Sequence, residues 1–155
     1  MEELPRTTME SLLAQYRGEM AAVEAYDPAI SKFAGQPEEP ILRKIQGEHR
    51  AAVRRLGEAI RRHGGIVPES SGAWGTFAST LENLAGLIND EVPLQVLYRG
   101  EAIGGQGYAR LLADPALPPD LARELVELED GCRRHEDTLT EIIQDIPEAP
   151  TRPLL

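Results

Sequence analysis

Four stretches of this 155-residue chain repeat apolar side chains three and four positions apart, the spacing of one buried helical face, and a single Glu or His interrupts each near its middle. In heptad register the first face is Leu12, Tyr16, Glu19, Val23, Tyr26 and Ile30, and the second is Leu42, Ile45, His49, Ala52 and Leu56. The third is Leu94, Tyr98, Glu101, Gly105, Tyr108 and Leu112. The fourth is Leu121, Leu125, Leu128, Cys132, His135, Leu139 and Ile142. No stretch alternates with period two for long, so no strand is expected. Faces of this kind are hidden by packing helix on helix, which points to an all-α, antiparallel four-helix bundle.

Gly and Pro set the boundaries. The first helix is expected over about 7–34, with a kink or short break at Asp27-Pro28 and a stop at Gly35-Gln36-Pro37. The second covers about 40–63 and ends at Gly64-Gly65, a C-cap signal. One helix over 73–113 would span about 60 Å, against about 36 Å for the second. Asn89-Asp90-Glu91-Val92-Pro93 instead reads as a stop and a capped restart. That divides the region into a crossover helix, about 73–88, between helices two and three, and a core helix, about 91–113. The fourth helix covers about 119–146. The bundle thus occupies 7–146, and 147–155 is a Pro-rich, extended tail.

Charge narrows the partners. Sixteen Lys and Arg against 26 Asp and Glu give a net charge of −10. Such a chain repels a phosphate backbone and an anionic membrane surface, and cations are its natural counterpart. No apolar run approaches the ~20 residues that span a bilayer. The N-terminus Met1-Glu2-Glu3-Leu4-Pro5 has neither a basic nor an apolar signal region, and a single Cys cannot form an internal disulfide, which together suggest the cytoplasm.

The chain also repeats itself. Tyr16-Arg17-Gly18-Glu19 recurs as Tyr98-Arg99-Gly100-Glu101, an offset of 98 − 16 = 82 that also carries Leu12 to Leu94 and Tyr26 to Tyr108. Duplication of a helical hairpin, with helix one matching helix three and helix two matching helix four, explains the match.

Glu19, His49, Glu101 and His135 are therefore expected to meet at one level of the interior. A carboxylate there costs several kcal/mol unless it is paired, protonated or metal-bound. Two Glu and two His suit iron, manganese or zinc. The alternative is a hydrogen-bond network completed by Tyr16, Tyr26, Tyr98 and Tyr108. Cys132, one turn before His135, reads as a small apolar filler, or as a ligand favouring zinc. Glu48 adjoins His49 and reads first as a solvent-facing charge, with a swing toward the site as the alternative; Glu24 reads as a surface charge and His63 as a helix C-terminal residue. Gly100, Gly104, Gly105 and Gly107 allow close helix approach or leave room beside the site. Trp74, Phe77, Leu81, Leu84 and Ile88 form a stripe on the crossover helix, from which self-association, most simply a two-fold dimer, is expected.

Several stretches carry a family resemblance. They are 17–26 (Arg17-Gly18-Glu19 to Ala25-Tyr26), Glu48-His49-Arg50, Gly64-Gly65-Ile66-Val67-Pro68, 70–78 (Ser70-Ser71-Gly72-Ala73-Trp74 to Ala78) and Gly100-Glu101. Over about Leu12 to Ile143 the chain resembles the ferritin-like superfamily, in particular rubrerythrin- and bacterioferritin-type domains, and most closely a bacterial ferritin-like family of unknown function. Ferritin-like di-iron sites take one Glu from each of two helices and Glu-x-x-His from each of the other two. Glu19 and Glu101 match the lone carboxylates, and His49 and His135 match the imidazoles. Gln46 and Cys132 stand where the remaining carboxylates would be, a departure from the di-iron pattern with which a single-metal or metal-free site is compatible. The resemblance implies metal binding in iron handling or oxidative-stress defence. The alternative is a non-catalytic bundle with a vestigial polar core that acts as a protein-interaction module.

Overall fold

The computed structural model describes residues 3–72 and 90–146. Within them lie four helices: α1 (Arg6–Lys32), α2 (Glu38–Arg62), α3 (Glu91–Leu112) and α4 (Pro119–Asp145). No strand occurs among the described residues. The expected crossover helix over 73–88, with its apolar stripe, and the tail over 147–155 lie outside them.

Local chemistry accounts for the helix ends. Glu38 and Glu39 open α2 and Arg61 and Arg62 close it, each sign matching the end of the helix dipole. Past the His63 C-cap, Gly64 takes φ 82°, a left-handed conformation suited to glycine. Its N–H donates to the Arg61 carbonyl at 3.1 Å and that of Gly65 to Ile60 at 2.8 Å, the Schellman pattern. Pro119 begins α4, where its missing N–H is harmless. Two local expectations change. Of the kink or short break expected at Pro28, the break does not occur, since α1 continues to Lys32; so near the C-terminus only about one more turn depends on the disrupted ladder. Asp90 precedes α3 without a side-chain cap bond. Its carboxylate lies 3.5 Å from Lys32 Nζ instead.

The helices pack in a closed ring. α1 touches α2 and α3, α4 touches α2 and α3, and the pairs α1/α4 and α2/α3 lie across the diagonals. Short loops make α1/α2 and α3/α4 antiparallel. At one end Thr8 Oγ1 donates to Asp114 Oδ2 at 2.6 Å, and at the other Lys32 meets Asp90, so α1 and α3 are antiparallel as well. Arg62 pairs with Glu124 and His135 with Glu48, which sets α2 against α4 in the same sense. Helices α2 and α3 consequently run in the same direction.

Two apolar clusters fill the interior, one above and one below a polar layer. One includes Tyr26, Ile30, Phe33, Leu42, Leu94, Leu97 and Leu139, and the other Leu12, Tyr16, Leu56, Ile60, Tyr108 and Leu125. The inward faces follow the heptads except in three places. Val23 and Leu128 are half-buried. On α3 the face runs Leu94, Leu97, Glu101, Tyr108 and Leu111, so Leu97 and Leu111 replace Tyr98 and Leu112, and Gly105 is half-buried. Both registers share Leu94, Glu101 and Tyr108. The adopted one puts an aliphatic residue at 97 into the apolar cluster, whereas Tyr98 there would bury a hydroxyl.

The exposures of Leu97 (2%) and Tyr98 (39%) make a direct test of register. Leu97→Ala should destabilise the protein by about 2–5 kcal/mol, and Tyr98→Ala by less than about 1 kcal/mol, measured by urea unfolding. The reverse order would restore the tyrosine-inward register.

Candidate metal centre

Each helix delivers one of the four expected groups to the polar layer: Glu19 from α1, His49 from α2, Glu101 from α3 and His135 from α4. All four are buried, at 3–5% exposure. Their positions follow from the heptads, since each replaces an apolar residue halfway along an inward face.

Glu101 is the hub. His49 Nε2 lies 2.6 Å from its Oε1, and Tyr26 donates its hydroxyl to the same oxygen at 2.7 Å. His135 Nδ1 lies 3.2 Å from Oε2. The second nitrogen of each imidazole meets another carboxylate. His49 Nδ1 is 2.6 Å from Glu19 Oε2, and His135 Nε2 is 2.7 Å from Glu48 Oε2. Tyr108 closes the chain by donating to Glu19 Oε1 at 2.5 Å. The two imidazoles sit side by side, with ring centroids 4.9 Å apart.

Electrostatics follows from this order. Burial works against a charge on His49, but the Glu19 and Glu101 carboxylates overcome it and raise the imidazole well above its ordinary 6.5. Burial likewise opposes ionisation of Glu101, yet the His49 charge and bonds from both imidazoles hold its carboxyl down at about 2. Burial and the adjacent carboxylates push the Tyr26 and Tyr108 phenols up, so both remain donors.

His49, Glu101 and His135 each present a ligand atom within 4.8 Å of the others. Ligands ~2.1 Å from one ion stand at most about 4 Å apart, so a small side-chain adjustment would close the three onto an ion. Glu19 is the fourth expected residue and is brought to the layer, but behind His49 rather than in this group of three. It occupies the place from which a carboxylate orients a metal-binding imidazole.

The remaining residues sort themselves by contact. Tyr26 and Tyr108 reach the layer, whereas Tyr16 packs in the apolar cluster and Tyr98 faces outward. Gln46 turns away from the layer, its Nε2 donating to the Val23 carbonyl at 2.9 Å and Asp27 Oδ1 at 2.6 Å. Cys132 is buried, and burial together with Glu19 and Glu101 pushes its thiol far up, so it acts as the small filler rather than a thiolate ligand. Glu24 is exposed and accepts from Ser71 Oγ at 3.3 Å. Glu48, read first as facing solvent and only second as turning toward the site, does both. Its side chain is 43% exposed, as expected, yet its carboxylate holds His135. The signal lay in the antiparallel pairing of α2 with α4, which sets position 48 level with 135.

The pKa directions fix a pH dependence for the protein held in chelator. Glu101, at about 2 against an ordinary 4.5, contributes stability that is complete above about pH 4.5 and lost as pH falls toward 2. His49, raised above 6.5, contributes stability that is complete below about pH 6.5 and lost as pH rises through its raised value. The Tm gap between the native chain and Glu101→Gln should therefore be widest between pH 4.5 and 6.5 and shrink on either side. A gap independent of pH would contradict the ionised pair.

Comparison of the chain with protein-family models, with curated proteins and with solved structures finds no match.

Proposed function

We propose that this chain is a ferritin-like metal-binding protein whose centre is formed by Glu19, His49, Glu101 and His135. The observation that carries the reading is the pair of imidazoles facing one buried carboxylate, each backed on its far nitrogen by another carboxylate. In metal sites such backing fixes the imidazole orientation and raises its basicity. His49, Glu101 and His135 would bind the ion, and Glu19 would hold His49. Imidazole with carboxylate suits iron, manganese or zinc. Bound there, the ion would supply Lewis acidity or, for iron and manganese, redox chemistry. The ferritin-like arrangement is supported by the order of helices around the ring and by α2 and α3 running the same way, which demands one long crossover. Iron handling or oxidative-stress defence in the cytoplasm is the role that the family resemblance implies.

A second reading rests on a different observation. Among the described residues, no buried polar side-chain atom of the layer lacks a hydrogen-bond partner. A vestigial layer in a non-catalytic, protein-binding bundle would need no ion to be satisfied.

Metal analysis separates the two. Protein purified without chelator should retain a transition metal, and Glu101→Gln should abolish retention while circular dichroism shows unchanged helix content. Glu19→Gln should weaken affinity by about 10–100-fold, because it acts through His49. A native chain that retains no metal and binds no Fe²⁺, Mn²⁺ or Zn²⁺ would overturn the metal-binding reading in favour of the second.

A further inference from the structure

Two cavities approach the polar layer from opposite sides of the ring. One, of about 230 Å³, lies between α1 and α3; its walls are mostly small or apolar, with Ala21, Ala25 and Gly104 among them, and it reaches Glu19, His49 and Glu101. The other, of about 400 Å³, lies between α2 and α4. Its walls carry Glu48, Arg55, Glu127, Asp130 and Arg134, and it reaches Glu19, His49, Cys132 and His135. The Arg55 guanidinium is engaged by Glu124 at 3.2 Å and Glu127 at 2.6 Å, while Glu48 is engaged by His135.

The two histidines are backed unequally. Glu19, behind His49, is 5% exposed and further tied by Tyr108, whereas Glu48, behind His135, is 43% exposed at the wall of the charged cavity. A hydrated cation sheds water readily where other oxygens replace it, and both cavities carry carboxylates, but only at the α2–α4 wall does an exposed carboxylate touch a histidine of the layer. Glu48 offers such an oxygen at the surface and touches His135 at 2.7 Å.

Resting on the metal-binding reading, we propose that a divalent cation reaches and leaves the centre through the α2–α4 cavity, with Glu48 as the positioning residue on that route. Glu48 meets the incoming ion, and by accepting from His135 Nε2 it keeps Nδ1 aimed at Glu101.

Co²⁺ alone, followed by its visible absorption in stopped flow and by a chelator chase, tests this on the full chain. Ala51 lines the charged cavity, and Ala51→Phe should slow association and dissociation by the same factor, leaving Kd unchanged. Gly18 lines the other cavity, where an added Cβ meets nothing within 4 Å, and Gly18→Phe should leave both rates unchanged. Glu48 is exposed on α2, so its variants keep the fold. Glu48→Ala should weaken Co²⁺ binding by about 10–100-fold. Glu48→Gln, which keeps an acceptor oxygen but not the charge, should restore most of the affinity but not the association rate. Slowing by Gly18→Phe that equals or exceeds that by Ala51→Phe overturns the route. Native rates and affinity in Glu48→Ala overturn the role of Glu48. A native chain that binds no Co²⁺ instead overturns the metal-binding reading on which this rests.

Discussion

A carboxylate buried among helices has to be answered by donors or by positive charge, and Glu101 of α3 is answered from all three other helices. Tyr26 of α1, His49 of α2 and His135 of α4 each place a polar atom within 2.6–3.2 Å of it. Removing one partner from a buried charge costs about 3–5 kcal/mol, so this carboxylate acts as a register pin. Sliding any helix by one turn would move a group out of the layer and an apolar residue into it. The apolar clusters above and below supply the bulk of the packing, but apolar contacts tolerate small slips that the polar layer does not.

The layer has a partial two-fold logic. Tyr26 of α1 donates to Glu101 of α3, and Tyr108 of α3 donates to Glu19 of α1. These four residues are related in pairs by the 82-residue offset, and in antiparallel helices that offset becomes a reciprocal exchange of hydrogen bonds. The histidines depart from it: His135 stands 135 − 49 = 86 residues beyond His49, and position 131 is Gly131. The carboxylates behind the histidines differ as well, one buried and one exposed. The symmetric half of the layer is the tyrosine–carboxylate frame, and the asymmetric half is the imidazole pair.

Much of this was legible in the sequence for a simple physical reason. A Glu or His inside an apolar heptad is costly, so it stands out against its neighbours, and the four such residues are the four that meet. Leu97 and Tyr98 were not separable by periodicity, because the two heptad registers share Leu94, Glu101 and Tyr108 and differ only in which neighbour turns inward. Gln46 was unreadable because its partners, the Val23 carbonyl and Asp27, lie on another helix. Glu48, for which the sequence left both solvent and site open, was harder to assign than His49. An exposed carboxylate on a charged helix looks like any other until the pairing of α2 with α4 puts His135 beside it.

X-ray absorption at the zinc edge of the Zn²⁺-loaded chain tests most directly whether two imidazoles converge on one buried carboxylate to hold an ion. The account predicts imidazole scattering from two histidines at ~2.0–2.1 Å together with carboxylate oxygen at ~2.0–2.2 Å. A shell made of oxygen alone, without imidazole scattering, would place the ion on surface carboxylates and contradict the account.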